Sequence, residues 1–349
     1  RAKQAGADRI DIFKASMRGS DQARLPLESD LRRAIERKQI KVLYQPITNL
    51  EANTLAGFEA LVRWDHPKQG RLNPDDFVSI AEETGLIAEL GGYVLDQAVK
   101  QLSRWQKSMP ITESRIFVSV NVSSSQLFRQ DLLQQIRSVL SRDAVPKETL
   151  RLEVTESLVM ENPEQAIEIL NVLKELGAGL SLDDFGTGFS SLSYLQRFPF
   201  DTIKVDKSFI RDAAREGTSP VILRSVVAMS HELGKKIVAE GVESSEDADY
   251  LRSIGCEYAQ GFYFGEPMTD KAAARLVTAL SKALKKQSAS AARTVRKAAP
   301  AKAPARALPK PATPAAPPAK PAASPPAKPA GKRPVSPGTP VPAGGATPR

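Results

Sequence analysis

A closed barrel of eight strands alternating with helices, an α/β fold of the (β/α)8 TIM-like kind, is the class this sequence predicts, and three observations predict it. Between Val42 and about Met268, short apolar runs recur, each followed by a polar turn and then an amphipathic stretch. Eight such runs over roughly 230 residues match the size of a closed barrel, about 250 residues. Strand after strand also ends on a residue that is costly to bury and useful for chemistry, and a barrel gathers such residues at one end, where inward side chains meet the functional loops. An open doubly wound sheet is the competing class, but no Gly-rich dinucleotide turn follows an early strand.

The elements follow in order. Residues 1–20 open with RAKQAGADRIDIF, a short amphipathic piece and an alternating strand, too small to be a domain alone. Residues 21–39 read as a connecting helix, because LESDLRRAIERKQI spaces Leu27, Leu31, Ile35 and Ile40 close to the helical period among charges. The barrel is expected over residues 40–270. Its strands are KVLYQPI, AGFEALVRW, RIFVSVNVS, LRLEVTES, AGLSLDD, FDTIKVDK, KKIVAEGV and YAQGFYFG, with helices such as YVLDQAVKQLSRWQ and PEQAIEILNVLKELG between them. Residues 271–287 continue as a terminal helix. Residues 288–349 carry 11 Lys and Arg, no acid and 16 of the 26 prolines, with almost no large apolar side chain to offset ordering entropy. They read as a disordered, locally extended tail.

Charge and composition narrow the function. The net charge of +9 belongs to that tail: with its 11 cations set aside, the rest of the chain balances at −2. Weak, sequence-blind contact of the tail with nucleic acid or an anionic membrane is compatible with such a composition. No run approaches the ~18 apolar residues of a spanning helix. The single cysteine, Cys256, has no internal disulfide partner, which points to a reducing, cytoplasmic setting for this segment. Cys256 with His66 and His231 makes too few soft ligands for a zinc centre, so any metal here is held by oxygen.

The residues at the strand ends are Glu59, Asn121, Glu153, Asp183 with Asp184, Lys204, Glu240 and Gln260. That many carboxylates in one mouth repel strongly unless a cation sits among them. Hard oxygen ligands without His or Cys argue for Mg²⁺ or Mn²⁺. The adjacent aspartates in GLSLDDFGTGFSSL then gain a purpose. Neighbours in a strand point to opposite faces, but at the last residue, where the chain turns, the second side chain can swing over the rim. Asp183 is thus placed to bridge two ions and Asp184 to reach the outer one. Two ions about 3.5–4 Å apart activate a water and stabilise the leaving oxygen of a phosphodiester.

With these residues in place, the sequence resembles the EAL-domain cyclic di-GMP phosphodiesterases. Glu59-Ala60-Leu61 stands in FEALVRW, and YQP, VNVS, EVTES, DDFGTGFSSL, KVD, AEGVE and QGF follow in register over residues 40 to about 270. The start, RAKQAGADRI, resembles the end of a GGDEF domain, so an upstream GGDEF or sensory domain is expected in the parent protein, which can be membrane-anchored. The resemblance implies hydrolysis of cyclic di-GMP to linear pGpG with two ions, Mg²⁺ or Mn²⁺. It makes Glu59, Asn121, Glu153, Asp183 and Asp184 the ion ligands, Glu240 the ligand or base near the second ion, and Lys204 the cation beside the attacking water and phosphate. Arg63, Gln45, Asp206 and Gln260 correspond to substrate-side positions. Glu156 corresponds to the anchor of the loop after the aspartates, which in the family couples dimerisation to metal binding, so a homodimer is expected. Phe189 stands in that loop where a tyrosine is common. The alternative is a catalytically silent EAL domain that binds cyclic di-GMP and signals through partners.

Overall fold

The computed structural model describes residues 26–109, 116–143, 145–186, 192–213 and 219–298. The expected GGDEF-like remnant, the loop residues 187–191 with Phe189, and the tail from residue 299 lie outside the described residues. The described residues all belong to one compact unit. It holds nine strands: β1 (Ile40–Asn49), β2 (Thr54–His66), β3 (Gly70–Leu72), β4 (Phe117–Asn121), β5 (Leu150–Thr155), β6 (Gly179–Phe185), β7 (Thr202–Val205), β8 (Lys236–Ala239) and β9 (Tyr258–Gln260). The helices are α1 (residues 26–34), α2 (Pro74–Glu83), α3 (Ile87–Ser108), α4 (Ser124–Leu127), α5 (Gln130–Asp143), α6 (Glu156–Glu161), α7 (Pro163–Glu175), α8 (Leu192–Arg197), α9 (Lys207–Ala213), α10 (Ser219–Glu232), α11 (Ser245–Ser253) and α12 (Asp270–Ala298).

The sheet runs β1-β9-β8-β7-β6-β5-β4-β2-β3 and is closed by pairing β1 with β2, so eight strands form the barrel and β3 is an appendage on β2. From β2 through β9 the barrel neighbours are parallel, while β1 lies antiparallel to both β2 and β9. The physical reason is the short link between the first two strands. Residues 50–53 form a turn, and a turn that short joins only antiparallel strands; a parallel neighbour needs a crossover of a dozen residues or more. β2 continues past the barrel to pair with β3 through Trp64 and Leu72, a small hairpin that the sequence pattern did not flag.

Alternation sorts each strand into a core-facing and an axis-facing set. The outward apolar residues Val118, Val120, Leu152, Val154, Leu180, Leu182, Ile203 and Val205 pack with the helices, including Leu95, Leu102 and Trp105 of α3, in the main hydrophobic core. The barrel floor is plugged by Ile47, Phe117 and Val238. A separate cluster joins Leu27, Leu31 and Ala34 of α1 to Ile40, Trp64, Phe77 and Leu90. The expected connecting helix is therefore fastened to the far end of β2, the strand that carries Glu59 and Arg63. Buried His66 reinforces that joint. Its Nδ1 accepts from the backbone N–H groups of Lys68 and Gln69, and its Nε2 lies 3.3 Å from Asp30 of α1.

The terminal helix departs from the expected limit at residue 287: α12 runs to Ala298. The stretch SASAARTVRKA contains no proline and is rich in strong helix formers, and the first proline is Pro300.

Candidate active site

The site is built on consecutive strands by register. Gln45 on β1 faces Glu59 on β2, Asn121 on β4 faces Glu153 on β5, and Thr155 faces Asp183 on β6. Two residues on from Thr202, Lys204 points inward from β7, and Glu240 and Gln260 close the ring at the ends of β8 and β9. Glu59 sits midway along β2 and not at its end, because that strand outruns the barrel by several residues to reach β3. Its height still matches the others, since the ladder with β4 ends at Ala60.

Lys204 is the centre. Its side chain is 2% exposed, and its Nζ lies 2.6 Å from Glu240 Oε1, 2.8 Å from Glu153 Oε2, 3.1 Å from Asp183 Oδ1 and 3.5 Å from Glu59 Oε2. One ammonium thus faces four carboxylates. Around it the amides complete the pattern. Asn121 Nδ2 donates to Glu59 Oε1 at 2.8 Å, and Gln260 Nε2 donates to Glu59 Oε2 at 2.7 Å and to Gln45 Oε1 at 3.0 Å. Gln45 Nε2 in turn donates to the carbonyl of Gly265 at 3.2 Å. Gln260 Oε1 is buried with no hydrogen-bond partner among the described residues.

Proton affinities follow from this arrangement. Burial pushes the Glu153 carboxyl well above the usual carboxylate range, against the pull of Lys204, with Glu59 and Asp183 adding to the rise. Burial likewise lifts Glu240, up to about 7. Burial acts on Glu59 in the same direction, but Lys204 and the amides of Gln260 and Asn121 outweigh it and hold that carboxyl below its ordinary value. Lys204 resists the loss of charge that burial favours, because four carboxylates raise its proton affinity well above normal.

The two adjacent aspartates are separated by backbone geometry. Asp184 has φ +54°, in the left-handed region that few residues other than glycine, Asn and Asp adopt. The β6–β7 register breaks between Leu182 and Phe185 at the same place. Asp183 stays buried and inward, whereas Asp184 is turned to the exposed rim, and its N–H donates to Asp183 Oδ1 at 3.0 Å. Burial, and next Asp183, raise the Asp184 carboxyl. Two residues on, Gly186 (φ +94°) donates its N–H to Glu156 Oε2 at 3.1 Å. A side chain there would meet Phe209 at 2.5 Å, so the start of the loop passes where only glycine fits.

Other expected residues lie at the margin. Arg63 is on the same face of β2 as Glu59, two pleat repeats further out, and donates to the carbonyl of Val62 at 2.7 Å. Asp206 accepts from the N–H of Ser208 at 2.9 Å at the start of α9, a helix-capping contact. The cavity over the ring, about 350 Å³, is lined by Gln45, Glu59, Asp183, Lys204, Glu240 and Gln260, and also by Lys207, Gly241, Glu243 and Phe262. Lys207, Gly241 and Phe262 are absent from the strand-end reading, because Lys207 opens α9 and the other two lie in the loops after β8 and β9. Phe262 and Gly241 stood inside the quoted motifs QGF and AEGVE, and Lys207 directly follows KVD.

Within the ring, the carboxylates of Glu59, Glu153 and Asp183 and the amide of Asn121, with no thiolate or imidazole among them, are hard oxygen donors suited to a divalent ion of the Mg²⁺ class. Among the described residues no three acids stand as a ready cation cage, because Lys204 holds the carboxylates toward itself. The net negative ring and the unpartnered Gln260 Oε1 nonetheless fit added positive charge.

A closed barrel with an acidic ring about a buried lysine, open to a cavity at the strand ends, has its polar cluster where barrel enzymes place their active sites. Residues 28–267 match the family described as EAL domain, and the chain belongs to it. It is 39% identical over 267 residues to the bifunctional diguanylate cyclase/cyclic di-GMP phosphodiesterase MucR of Pseudomonas aeruginosa, covering 76% of this chain and 38% of that protein. It is 38% identical over 267 residues to the cyclic di-GMP phosphodiesterase PdeR of Escherichia coli, covering 76% of this chain and 40% of that one. The chain thus spans less than half of either relative. Among solved structures, PaMucR phosphodiesterase in its c-di-GMP complex superposes with a TM-score of 0.67 at 39% identity, covering 71% of this chain and 99% of that one.

Proposed function

We propose that this chain is a metal-dependent phosphodiesterase that hydrolyses cyclic di-GMP to linear pGpG. The observation that carries the reading is the intact ring: Glu59, Glu153, Asp183 and Glu240 converge on Lys204 within ion-pair reach, and Asn121 is hydrogen-bonded to Glu59. The similarity to proteins named as cyclic di-GMP phosphodiesterases supplies the substrate.

Glu59, Asn121, Glu153, Asp183 and Asp184 would hold two Mg²⁺ or Mn²⁺ ions, which supply Lewis acidity toward the phosphodiester and the attacking water. The chain's own residues do the rest. Asn121 and Gln260 each fix one oxygen of Glu59 through an N–H, so that this carboxylate has one orientation. Lys204 carries a fixed positive charge toward the phosphate and keeps Glu153, Asp183 and Glu240 from repelling one another. Glu240, placed at the rim of the ring, accepts the proton lost by the attacking water. Arg63, Gln45, Asp206 and Gln260 are assigned to the substrate side. Glu156 holds the start of the loop after β6 through Gly186. We assign to that loop the coupling between a homodimer and the ions.

The test is turnover of cyclic di-GMP with Mg²⁺ or Mn²⁺, with pGpG identified by chromatography. Appearance of pGpG, and its loss in Asp183→Asn, supports the reading. Binding of cyclic di-GMP without turnover under either ion makes the chain a silent binding module.

Among the described residues no helix is long and apolar enough to cross a membrane.

A further inference from the structure

Phe262 is an aromatic side chain standing in water beside a charged cavity. It is 65% exposed, the most exposed of the large hydrophobic residues among those described, and it lines the cavity over the acidic ring. Its neighbours behave differently: Tyr263 lays its ring edge-on against Phe264 at 5.0 Å, and Phe264 packs on the main core. The position of Phe262 is not slack. Gly261 immediately before it sits so close to the loop after β8 that a Cβ there would lie 2.1 Å from the carbonyl oxygen of Val242. Val242 N–H donates to the Gln260 carbonyl and Tyr263 N–H to the Val242 carbonyl, both at 3.1 Å. Phe264 and Gly265 N–H both return to the Gly261 carbonyl, and Gly265 is tied to Gln45 at the ring itself. The turn is thus stitched to the loop after β8 and to Gln45 on β1, while Phe262, more exposed than Tyr263 at 48%, is the aromatic of the turn that lines the cavity.

An apolar ring held in water by a rigid turn, at the lip of a site whose other walls are Lys207, Glu240, Gly241 and Glu243, offers a flat face and no hydrogen bond. Carboxylates and lysines can meet the phosphodiester or the polar edge of a purine, but they offer no apolar surface to its flat face. Aromatic faces do, because every base has a π-face to stack on and stacking removes both surfaces from water. We infer that Phe262 is a specificity residue that stacks on one nucleobase of the dinucleotide substrate, so that the scissile phosphate is drawn over the acidic ring. This rests on the phosphodiesterase reading above, and it adds a recognition element that the charged residues do not supply.

The experiment is steady-state kinetics of Phe262→Ala, Phe262→Trp and wild type on cyclic di-GMP, with melting temperature measured on each preparation. Phe262→Ala is expected to raise KM between about 5- and 150-fold, the range of one base–aromatic stack, with a smaller change in kcat. Phe262→Trp restores KM, and the melting temperature stays close to wild type, since little packing is lost. A KM within twofold of wild type in Phe262→Ala, or a rise that Trp does not rescue, overturns the stacking role. If wild type fails to hydrolyse cyclic di-GMP, calorimetric binding of that dinucleotide decides the matter separately: weaker binding by Phe262→Ala upholds the stack although the catalytic reading has fallen, and equal binding refutes it.

Discussion

Lys204 Nζ and Glu240 Oε1 lie 2.6 Å apart at the top of the barrel, joining β7 to the end of β8 across the site. The same ammonium reaches Glu153 and Asp183, so a single cation neutralises part of the charge that three strands bring together. Removing it leaves buried carboxylates uncompensated, which typically costs about 3–5 kcal/mol. Lys204→Met is therefore expected to lower the melting temperature of the metal-free protein sharply and to abolish hydrolysis. Added Mg²⁺ is expected to raise the melting temperature of the variant more than that of wild type. An equal response of the two proteins in a thermal-shift titration would contradict this account of the charge balance.

Glu59 has both oxygens engaged by amides, from Asn121 and Gln260. Glu59→Ala removes a ligand and orphans both donors. Turnover is expected to fall by more than the about 10–100-fold typical of losing a residue one step removed from an ion. Ca²⁺ is expected to inhibit, because its longer bonds and looser geometry suit such a ring poorly. Comparable turnover with Ca²⁺ and Mg²⁺ would count against the ligand set.

Glu156 is buried and accepts the Gly186 N–H from 30 residues away. With Glu156→Ala that donor loses its acceptor, at a cost of about 1–3 kcal/mol if it stays dry. Turnover is expected to fall and a higher Mg²⁺ concentration to be needed for half-maximal activity, with only a modest drop in melting temperature. Mg²⁺ titration of activity and thermal unfolding on one preparation check it; collapse of the fold would show that Glu156 serves the barrel and not the loop.

Cys256 is buried under β8 and β9, where burial first, and then Glu257, push its thiol up to about 12. At pH 8 only about one part in ten thousand is thiolate, so a thiol reagent is expected to modify the protein only after unfolding. The folded-state value lies above the unfolded one, near 9.0. The group's contribution to stability is therefore complete below about pH 9 and is lost as pH rises toward 12, by about 1.4 kcal/mol per unit. Cys256→Ala should flatten that fall in melting temperature. Fast labelling of the native protein at pH 8 would show that the thiol is not enclosed.

The tail is tested by truncation after Ala298, the last described residue of α12. Hydrolysis is expected to be unchanged, and any retention on DNA or anionic vesicles at low salt to disappear with the Lys and Arg removed. A truncated protein still held by DNA would place the basic surface on the barrel.

The strands and their inward residues were legible because a half-buried strand has a strict period of two and few residues tolerate its axis-facing positions. Glu153, Asp183 and Lys204 therefore stood out as charges inside apolar runs. The antiparallel course of β1 was also implicit, in the brevity of residues 50–53, but the strand pattern of KVLYQPI is the same in either direction. Asp206 shows the limit on the other side. The sequence places it two residues after Lys204, and only the coordinates reveal that its carboxylate is engaged with the N–H of Ser208. Phe262 was hidden for a different reason: an aromatic in YAQGFYFG reads as core, and exposure has no sequence signature.

The left-handed backbone at Asp184 sets two demands on one residue against each other. Asparagine and glycine adopt φ near +54° at less cost than aspartate does, so a chain refined for heat resistance alone would drift to one of them here. Either change would make a sturdier barrel with one fewer negative charge at its rim. A stabilised variant obtained by blind screening is thus liable to arrive with its chemistry already compromised, and sequencing position 184 is the first thing to do with it.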